Sequence, residues 1–278
     1  MSSAMAAGVA AVLDMQFPWE QMAWTATYLT ASYVVALVLA LALPETETGN
    51  GMGLIGRMDV VHHCLYTPVI SYLATTAYRN LPYETAKDRF QSNSWESWQF
   101  FMLFVCHSVL HMGITLFKKA SWGYKWHMLL HHTISIMMFV PALDGTFLKV
   151  GGFHHYGTLD GCCEVTGIFL NLVYLFKLLN ITWKPLLAVN GIILWLTWIV
   201  LRLCMFPFLM YGIWRDEMAP EWPETSEGMR PVIASNTYFY LCFVVNSTLL
   251  ILSIVWFIPI HKGMMKAVLG GPKTTKVQ

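Results

Sequence analysis

Seven stretches of mostly apolar residues follow one another along the chain, separated by short polar segments. They lie at about 24–43, 59–78, 98–117, 126–143, 161–179, 187–213 and 235–260. A helix needs about 17–25 mostly apolar residues to cross the hydrocarbon core of a bilayer, and each stretch reaches that length. The pattern therefore predicts an all-α fold, a polytopic membrane helix bundle of about seven transmembrane helices.

The second and fourth stretches are the least secure of the seven, because several histidines interrupt them. The second also contains Asp59 and Pro68. Six transmembrane helices plus a re-entrant segment are therefore an alternative to seven. We expect loops in the four longer polar segments, which are 44–58, 79–97, 144–160 and 214–234.

Basic residues are distributed unevenly between the two ends of the predicted helices. Ten Lys and Arg residues fall on the side of the C-terminal tail, six fall on the other side, and Arg202 lies within a helix. Cytosolic segments of membrane proteins carry the excess of positive charge, so we expect a cytosolic C-terminus. We expect three parts: an N-terminal segment with the first helix (1–56), a membrane domain (57–266) and a basic cytosolic tail (267–278).

Composition excludes several classes of protein. Hydrophobic residues make up 56% of the chain and charged residues only 12%, whereas soluble domains average about 25% charged residues. A net charge of +1 provides no strong field to attract nucleic acid. A soluble enzyme, a disordered protein and a nucleic-acid binder are therefore excluded.

Ionisable side chains inside the predicted helices are the strongest candidates for function, because placing them in a bilayer is costly. His107 and His111 are four residues apart and share one face of the third helix. His127 and His131 likewise share a face of the fourth helix, and His132 points about 100° away. Six histidines are predicted to crowd the cytosolic third of the membrane: His62, His63, His111, His127, His131 and His132.

Three interpretations of these histidines stay open. They can form hydrogen bonds between helices, act on a lipid headgroup as acid–base or nucleophilic groups, or bind a metal ion. A metal site built from paired histidines would also need His154 and His155, which we expect in a loop across the bilayer. We therefore predict no metal and no cofactor, with a metal-dependent lipid oxidase as the weakest alternative.

Further polar residues are predicted at other depths. Glu164 lies about one turn into the fifth helix, and Arg202 lies about 22 Å along the sixth. Both belong to a separate layer near the non-cytosolic side, where they can pair. Asn171 and Asn246 lie near the midplane. The residues predicted to form a polar, lipid-binding cavity are His107, His111, His127, Asn171, Arg202 and Asn246.

The order of these motifs resembles the TLC-domain family, the homology region shared by TRAM, the LAG ceramide synthases and the CLN proteins. The resemblance extends from about residue 57 to about residue 266. It rests, in order, on Lys118-Lys119, Trp126-His127, His131-His132-Thr133, Glu164-Val165-Thr166, Asn171, Asn190-Gly191, Arg202 and His261-Lys262-Gly263. The chain is more similar to the small TLC domain-containing proteins than to the ceramide synthases, because it lacks the synthases' His-Asp dipeptide.

The resemblance implies a helical bundle around a lipid-sized cavity, in the endoplasmic reticulum or another endomembrane. It implies lipid binding or regulation of lipid composition, with membrane lipids as partners and a homodimer as one possible assembly. The alternative is an acyltransferase that moves a fatty acyl group from acyl-CoA, as co-substrate, to a lipid amine or alcohol. In that alternative, His131 and His132 match the family's paired catalytic histidines, and Glu164 matches a downstream acidic position.

Overall fold

The computed structural model describes residues 19–43, 53–118, 122–143, 153–217 and 237–269, and all regular structure within these ranges is helical. The α-helices are α1 (Trp19–Ala42), α2 (Leu54–Asn80), α3 (Ala86–Gln91), α4 (Trp95–Phe117), α5 (Trp122–Leu143), α6 (His154–Gly161), α7 (Val165–Leu178), α8 (Lys184–Trp198), α9 (Met205–Glu217) and α10 (Thr237–Leu269). A 3₁₀ turn, Cys162–Glu164, joins α6 to α7, and a π-helical segment, Ile199–Cys204, joins α8 to α9. The predicted all-α fold is confirmed.

Each predicted apolar stretch corresponds to one long helical rod, since α6–α7 and α8–α9 each run on without a break. By length and composition, five rods among the described residues can cross a membrane. They are Glu20–Ala42, Asp88–Phe117, His154–Leu178, Lys184–Asp216 and Tyr240–Lys266. The other two long helices, α2 and α5, match the histidine-containing stretches. Seven crossings are compatible with this structure and stay a prediction.

Among the described residues, six rods pack side by side in a closed ring. Helix α2 contacts α7, α7 contacts α8, α8 contacts α10, α10 contacts α5, α5 contacts α4, and α4 returns to α2. Helix α1 lies outside the ring, against α2 and α4. The short connection after Lys118 predicts α4 and α5 as neighbours, and their packing confirms it.

Aromatic residues fill the ring at the end that includes the start of α4. Phe100, Phe101 and Phe104 pack against Phe139 of α5, with ring centroids 4.9–5.7 Å apart. All four rings are buried. Because this end is closed by side chains, any space inside the ring has to lie toward the other end, where the histidines are.

The expectation of a loop at 144–160 is wrong for its last part, because α6 begins at His154. His154 and His155 are 0% and 6% exposed. The His154 ring bonds to Ser97 Oγ at 2.6 Å and to the Ala142 carbonyl oxygen at 3.1 Å. These buried partners at the start of α4 and the end of α5 stabilise the helical conformation there.

Other loop expectations are corrected in the same way. Helix α3 lies within 79–97, and α2 already begins at Leu54. Several predicted features lie outside the described residues: most of the N-terminal segment, residues 44–52, Lys119, residues 144–152 and 218–236, and the tail from 270.

Close packing of α2 on α7 depends on Gly167. A Cβ atom at this position would lie 2.8 Å from the Thr67 Cγ2 methyl group. Asn171 Nδ2 donates a hydrogen bond of 2.7 Å to Thr67 Oγ1, so Thr67 cannot rotate away without losing that bond. Only glycine therefore fits at position 167 without a local shift.

Gly167→Ala is expected to destabilise the bundle by about 1–3 kcal/mol, because the added methyl group overpacks the α2–α7 contact. Gly113→Ala is the matched control, since nothing lies within 4 Å of its added methyl group and alanine favours helix more than glycine does. Thermal unfolding in detergent, followed by tryptophan fluorescence, measures both. Equal melting temperatures for the two variants would contradict the close contact.

Candidate functional site

A cavity of about 1110 Å³ lies inside the six-helix ring. All six rods contribute to its lining, and no described residue of α1 does. It extends from the helix ends near Lys118 and Lys177 inward to Trp198 and Arg202. Its volume is slightly above the range of roughly 300–1,000 Å³ that is typical of small-molecule sites. The cavity is therefore large enough for a ligand with a long aliphatic portion.

Seven of the nine predicted site residues line this cavity. They are His107, His111, His131, His132, Glu164, Asn171 and Arg202. The structure does not bring the other two to it. His127 shares a helix face with His131 but lies one turn nearer the helix end, where it is exposed. Asn246 is fully buried and donates to the Cys242 carbonyl oxygen of its own helix at 2.8 Å.

A buried carboxylate surrounded by basic groups lies near the open end of the cavity. Asp59 of α2 is 5% exposed, and its Oδ2 accepts a hydrogen bond from Lys118 Nζ at the end of α4. Its Oδ1 lies 3.2 Å from His111 Nε2 and 3.5 Å from His63 Nδ1. A buried charge is costly unless it is paired. Lys118 and the two histidines offset the cost of burying the Asp59 carboxylate.

His111 connects the groups around Asp59 to the paired histidines of α5, His131 and His132. His111 Nδ1 and His132 Nε2 are hydrogen-bonded at 2.6 Å. The Nδ1 atoms of His131 and His132 are buried and have no hydrogen-bond partner among the described residues. The His132 ring is therefore oriented by His111, which in turn contacts Asp59. The Nδ1 atoms of His131 and His132 stay available to a ligand.

More histidines lie beside His111. His62 Nε2 and His107 Nδ1 are 3.2 Å apart, and the His63 ring lies 5.2 Å from His107 and 4.6 Å from His111 between centroids. Histidines from α2, α4 and α5 thus converge at one depth, as their positions along the helices predict. The predicted site residues do not include Asp59, His63 and Lys118, although Asp59 and His63 are ionisable groups in an apolar stretch.

Arg202 and Glu164 lie at the inner end of the cavity. Arg202 Nη2 is 3.9 Å from Glu164 Oε1, so the predicted pair is confirmed. Arg202 Nε donates to Thr166 Oγ1 at 2.8 Å, and the guanidinium group lies over the Trp198 ring at 4.7 Å. Arg202 belongs to the π-helical segment, and such segments are frequent at functional sites. The two polar layers expected from the sequence line one continuous cavity.

A sequence model of the TLC domain, TRAM_LAG1_CLN8, matches residues 57–262. The matched segment begins in α2 and ends in α10, so it contains most of the ring and of the cavity lining and leaves out α1. No curated protein and no solved structure matches the chain significantly.

Asp59→Asn removes the charge that pairs with Lys118 while keeping the size of the side chain. It is expected to destabilise the protein by about 3 kcal/mol, because it leaves a largely buried ammonium group unpaired. This value is the low end for a broken buried pair, and we choose it because Lys118 keeps 12% of its exposure. Adding Lys118→Met removes the unpaired ammonium group as well and should recover part of the loss. Melting temperatures in detergent measure both. A single variant as stable as the unchanged protein would contradict a stabilising role for this pair.

Proposed function

The chain belongs to the TLC-domain family, and we propose that it binds a membrane lipid in the cavity of the six-helix ring. The family and the apolar helices together indicate an integral membrane protein that is involved in lipid metabolism or its regulation. The proposal adds where the lipid lies and which side chains contact it.

The observation that carries the proposal is the division of the cavity into a polar wall and an apolar wall. Helices α2 and α4 contribute the ionisable groups Asp59, His63, His107 and His111, together with apolar residues that include Val60 and Phe104. Helices α8 and α10 lie opposite them in the ring. Down to Trp198 they contribute apolar residues and glycine: Leu187, Ala188, Gly191, Ile192, Leu194, Trp198, Trp256, Pro259, Ile260, Gly263 and Met264. This distribution suits an amphipathic ligand whose headgroup lies beside the histidines.

The proposal includes an orientation and a location. Lys118 and Lys177 line the cavity at the same end of the ring, on the side with the larger number of basic residues. The excess of basic residues there supports a cytosolic position for this end, so the headgroup would be reached from the cytosol. We propose regulation of lipid composition as the function, with the endoplasmic reticulum or another endomembrane as the location that the family suggests.

A bulky side chain in the cavity should expel the lipid. Gly191 lines the cavity, with nothing within 4 Å of an added Cβ, so Gly191→Phe is expected to reduce co-purifying lipid at least tenfold. Gly113→Phe is the matched control, because Gly113 has equally open surroundings and does not line the cavity. Mass spectrometry of lipid extracted from each purified protein makes the comparison.

The lipid should be a defined species present at close to one molecule per chain. Lipid that is equally abundant in Gly191→Phe and Gly113→Phe would contradict binding in this cavity. So would a lipid profile in the unchanged protein that merely follows the composition of the source membrane.

A second candidate function, acyl transfer from acyl-CoA to a lipid amine or alcohol, is favoured by one specific observation. His132 is hydrogen-bonded to His111, which lies against Asp59, and His131 and His132 both have a ring nitrogen without a partner among the described residues. A neutral imidazole held in this way is suited to general-base catalysis.

The reaction would proceed within the cavity in the following way. An unpartnered ring nitrogen takes a proton from the lipid amine or hydroxyl group, whose nitrogen or oxygen bonds to the acyl carbonyl carbon. The carbon–sulfur bond of the thioester breaks, and the proton passes from the imidazole to the departing sulfur. The products are an acylated lipid and the free thiol of CoA.

Replacement of both His131 and His132 by alanine is expected to abolish this reaction, with a loss of at least about 10²-fold, because the general base is removed. His127→Ala is the control, since His127 is exposed and outside the cavity. Protein reconstituted in vesicles is given labelled acyl-CoA and a panel of lipid amines and alcohols. If transfer occurs in the unchanged protein and persists in the double variant, these histidines do not catalyse it.

A further inference from the structure

We propose that His63, His107, His111 and Asp59 form a binding site for a divalent transition-metal ion, with zinc as the expected ion. The three histidines come from α2 and α4, and one ring nitrogen of each lies within 4.8 Å of a ring nitrogen of the other two. Asp59 is outside this group of three and adjoins it through His111. The proposal goes beyond lipid binding, because it assigns an inorganic ligand to one part of the polar wall.

The hydrogen bonds around the three rings are those that metal-binding histidines form. Ligating imidazoles nearly always use their second nitrogen to bond a carbonyl, a carboxylate or another acceptor, which sets the ring orientation. Here that nitrogen is Nδ1 in every case. The bonds join His63 to the Asp59 carbonyl oxygen at 2.8 Å, His107 to His62 at 3.2 Å and His111 to His132 at 2.6 Å.

Two of the three remaining ring nitrogens are then left for an ion, and the third, His111 Nε2, contacts Lys118 and Asp59. The Nε2 atoms of His63 and His107 form no hydrogen bond within the described part of the chain, and both rings line the cavity. His111 Nε2 lies 3.4 Å from Lys118 Nζ. Lys118 is at the end of α4, and an ion bound to His111 would have to displace its ammonium group from this position.

A carboxylate oxygen provides the independent observation that points to a cation. Asp59 Oδ1 is buried and has no hydrogen-bond partner among the described residues, while Oδ2 accepts from Lys118. Oδ1 lies 3.2 Å from His111 Nε2. Metal–ligand bonds of 2.0–2.1 Å in a tetrahedral site place neighbouring ligand atoms about 3.3 Å apart. An ion bound to both atoms would satisfy the unpartnered oxygen.

The donor set selects the ion. Three imidazoles and one carboxylate make a borderline nitrogen–oxygen site, which suits zinc and related divalent ions rather than calcium or magnesium. The proposal departs from the sequence-based expectation of no metal, because that expectation considered His107 and His111 with histidines of α5 and α6. The structure instead places His63 of α2 beside them.

Metal analysis of the full-length protein, purified without chelator and dialysed against zinc, tests the site. We expect about one zinc ion per chain and a rise in melting temperature on adding zinc, because an ion that binds the folded state stabilises it. His63→Ala should reduce bound zinc at least tenfold and abolish the shift in melting temperature. His63 is the chosen variant because its side chain is 18% exposed, whereas His107 and His111 are buried.

His127→Ala is the matched control and should retain the ion, since His127 lies outside the cavity. Zinc below one tenth of an ion per chain in the unchanged protein overturns the proposal. A folded His63→Ala protein that still binds one ion also overturns it.

If His63→Ala does not fold, the cobalt-substituted unchanged protein decides, because a four-coordinate site gives intense ligand-field bands and weak surface binding does not. Gly191→Phe tests lipid binding without altering these ligands, so the two proposals can fail separately.

Discussion

The structure of the site depends on a single buried carboxylate, that of Asp59. It lies in an apolar ring of helices, where an unpaired charge would strongly destabilise the fold. Lys118 supplies the counter-charge from the end of α4, and His63 and His111 surround the remaining oxygen. These contacts join α2 to α4 along the polar wall of the cavity. They also place His111 so that it bonds to His132 of α5, which links three of the six rods through one network of polar groups.

The same ring separates polar from apolar chemistry across its interior. Its polar wall consists of α2 and α4, and the wall opposite consists of α8 and α10. At the inner end, the pair of Arg202 and Glu164 adds a second polar point. An amphipathic molecule matches this distribution along its whole length, which neither a small polar metabolite nor a pure hydrocarbon does. The proposed lipid binding and the alternative of acyl transfer would both use this arrangement. Acyl transfer would in addition require acyl-CoA in the cavity and proton transfer by the paired histidines.

Several features could be predicted because they depend on periodicity alone. The apolar stretches correspond to the helical rods, and positions four residues apart on α4 do place His107 and His111 on one face. Other features depend on partners that lie far away in sequence. The buried ring of His154 is hydrogen-bonded to Ser97 Oγ and donates to the Ala142 carbonyl oxygen, and both partners are distant in sequence. Asn246 does not reach the cavity and instead donates to Cys242 of its own helix and to the Met138 sulfur of α5. Asp59 and Lys118 are separated by most of two helices and meet only when the ring closes.

The sequence by itself determined the fold class, the helices and the positions of the ionisable side chains along them, since these follow from hydrophobic length and the rise per residue. It could not determine how far each helix is rotated in the ring. That rotation decides which of two neighbouring histidines faces the interior, so the exposure of His127 and the convergence of His63 with His107 and His111 required the tertiary structure. The physical reason is that rotation is set by close packing, as at Gly167 against Thr67, and by polar pairing across helices. Neither leaves a periodic signal along the chain.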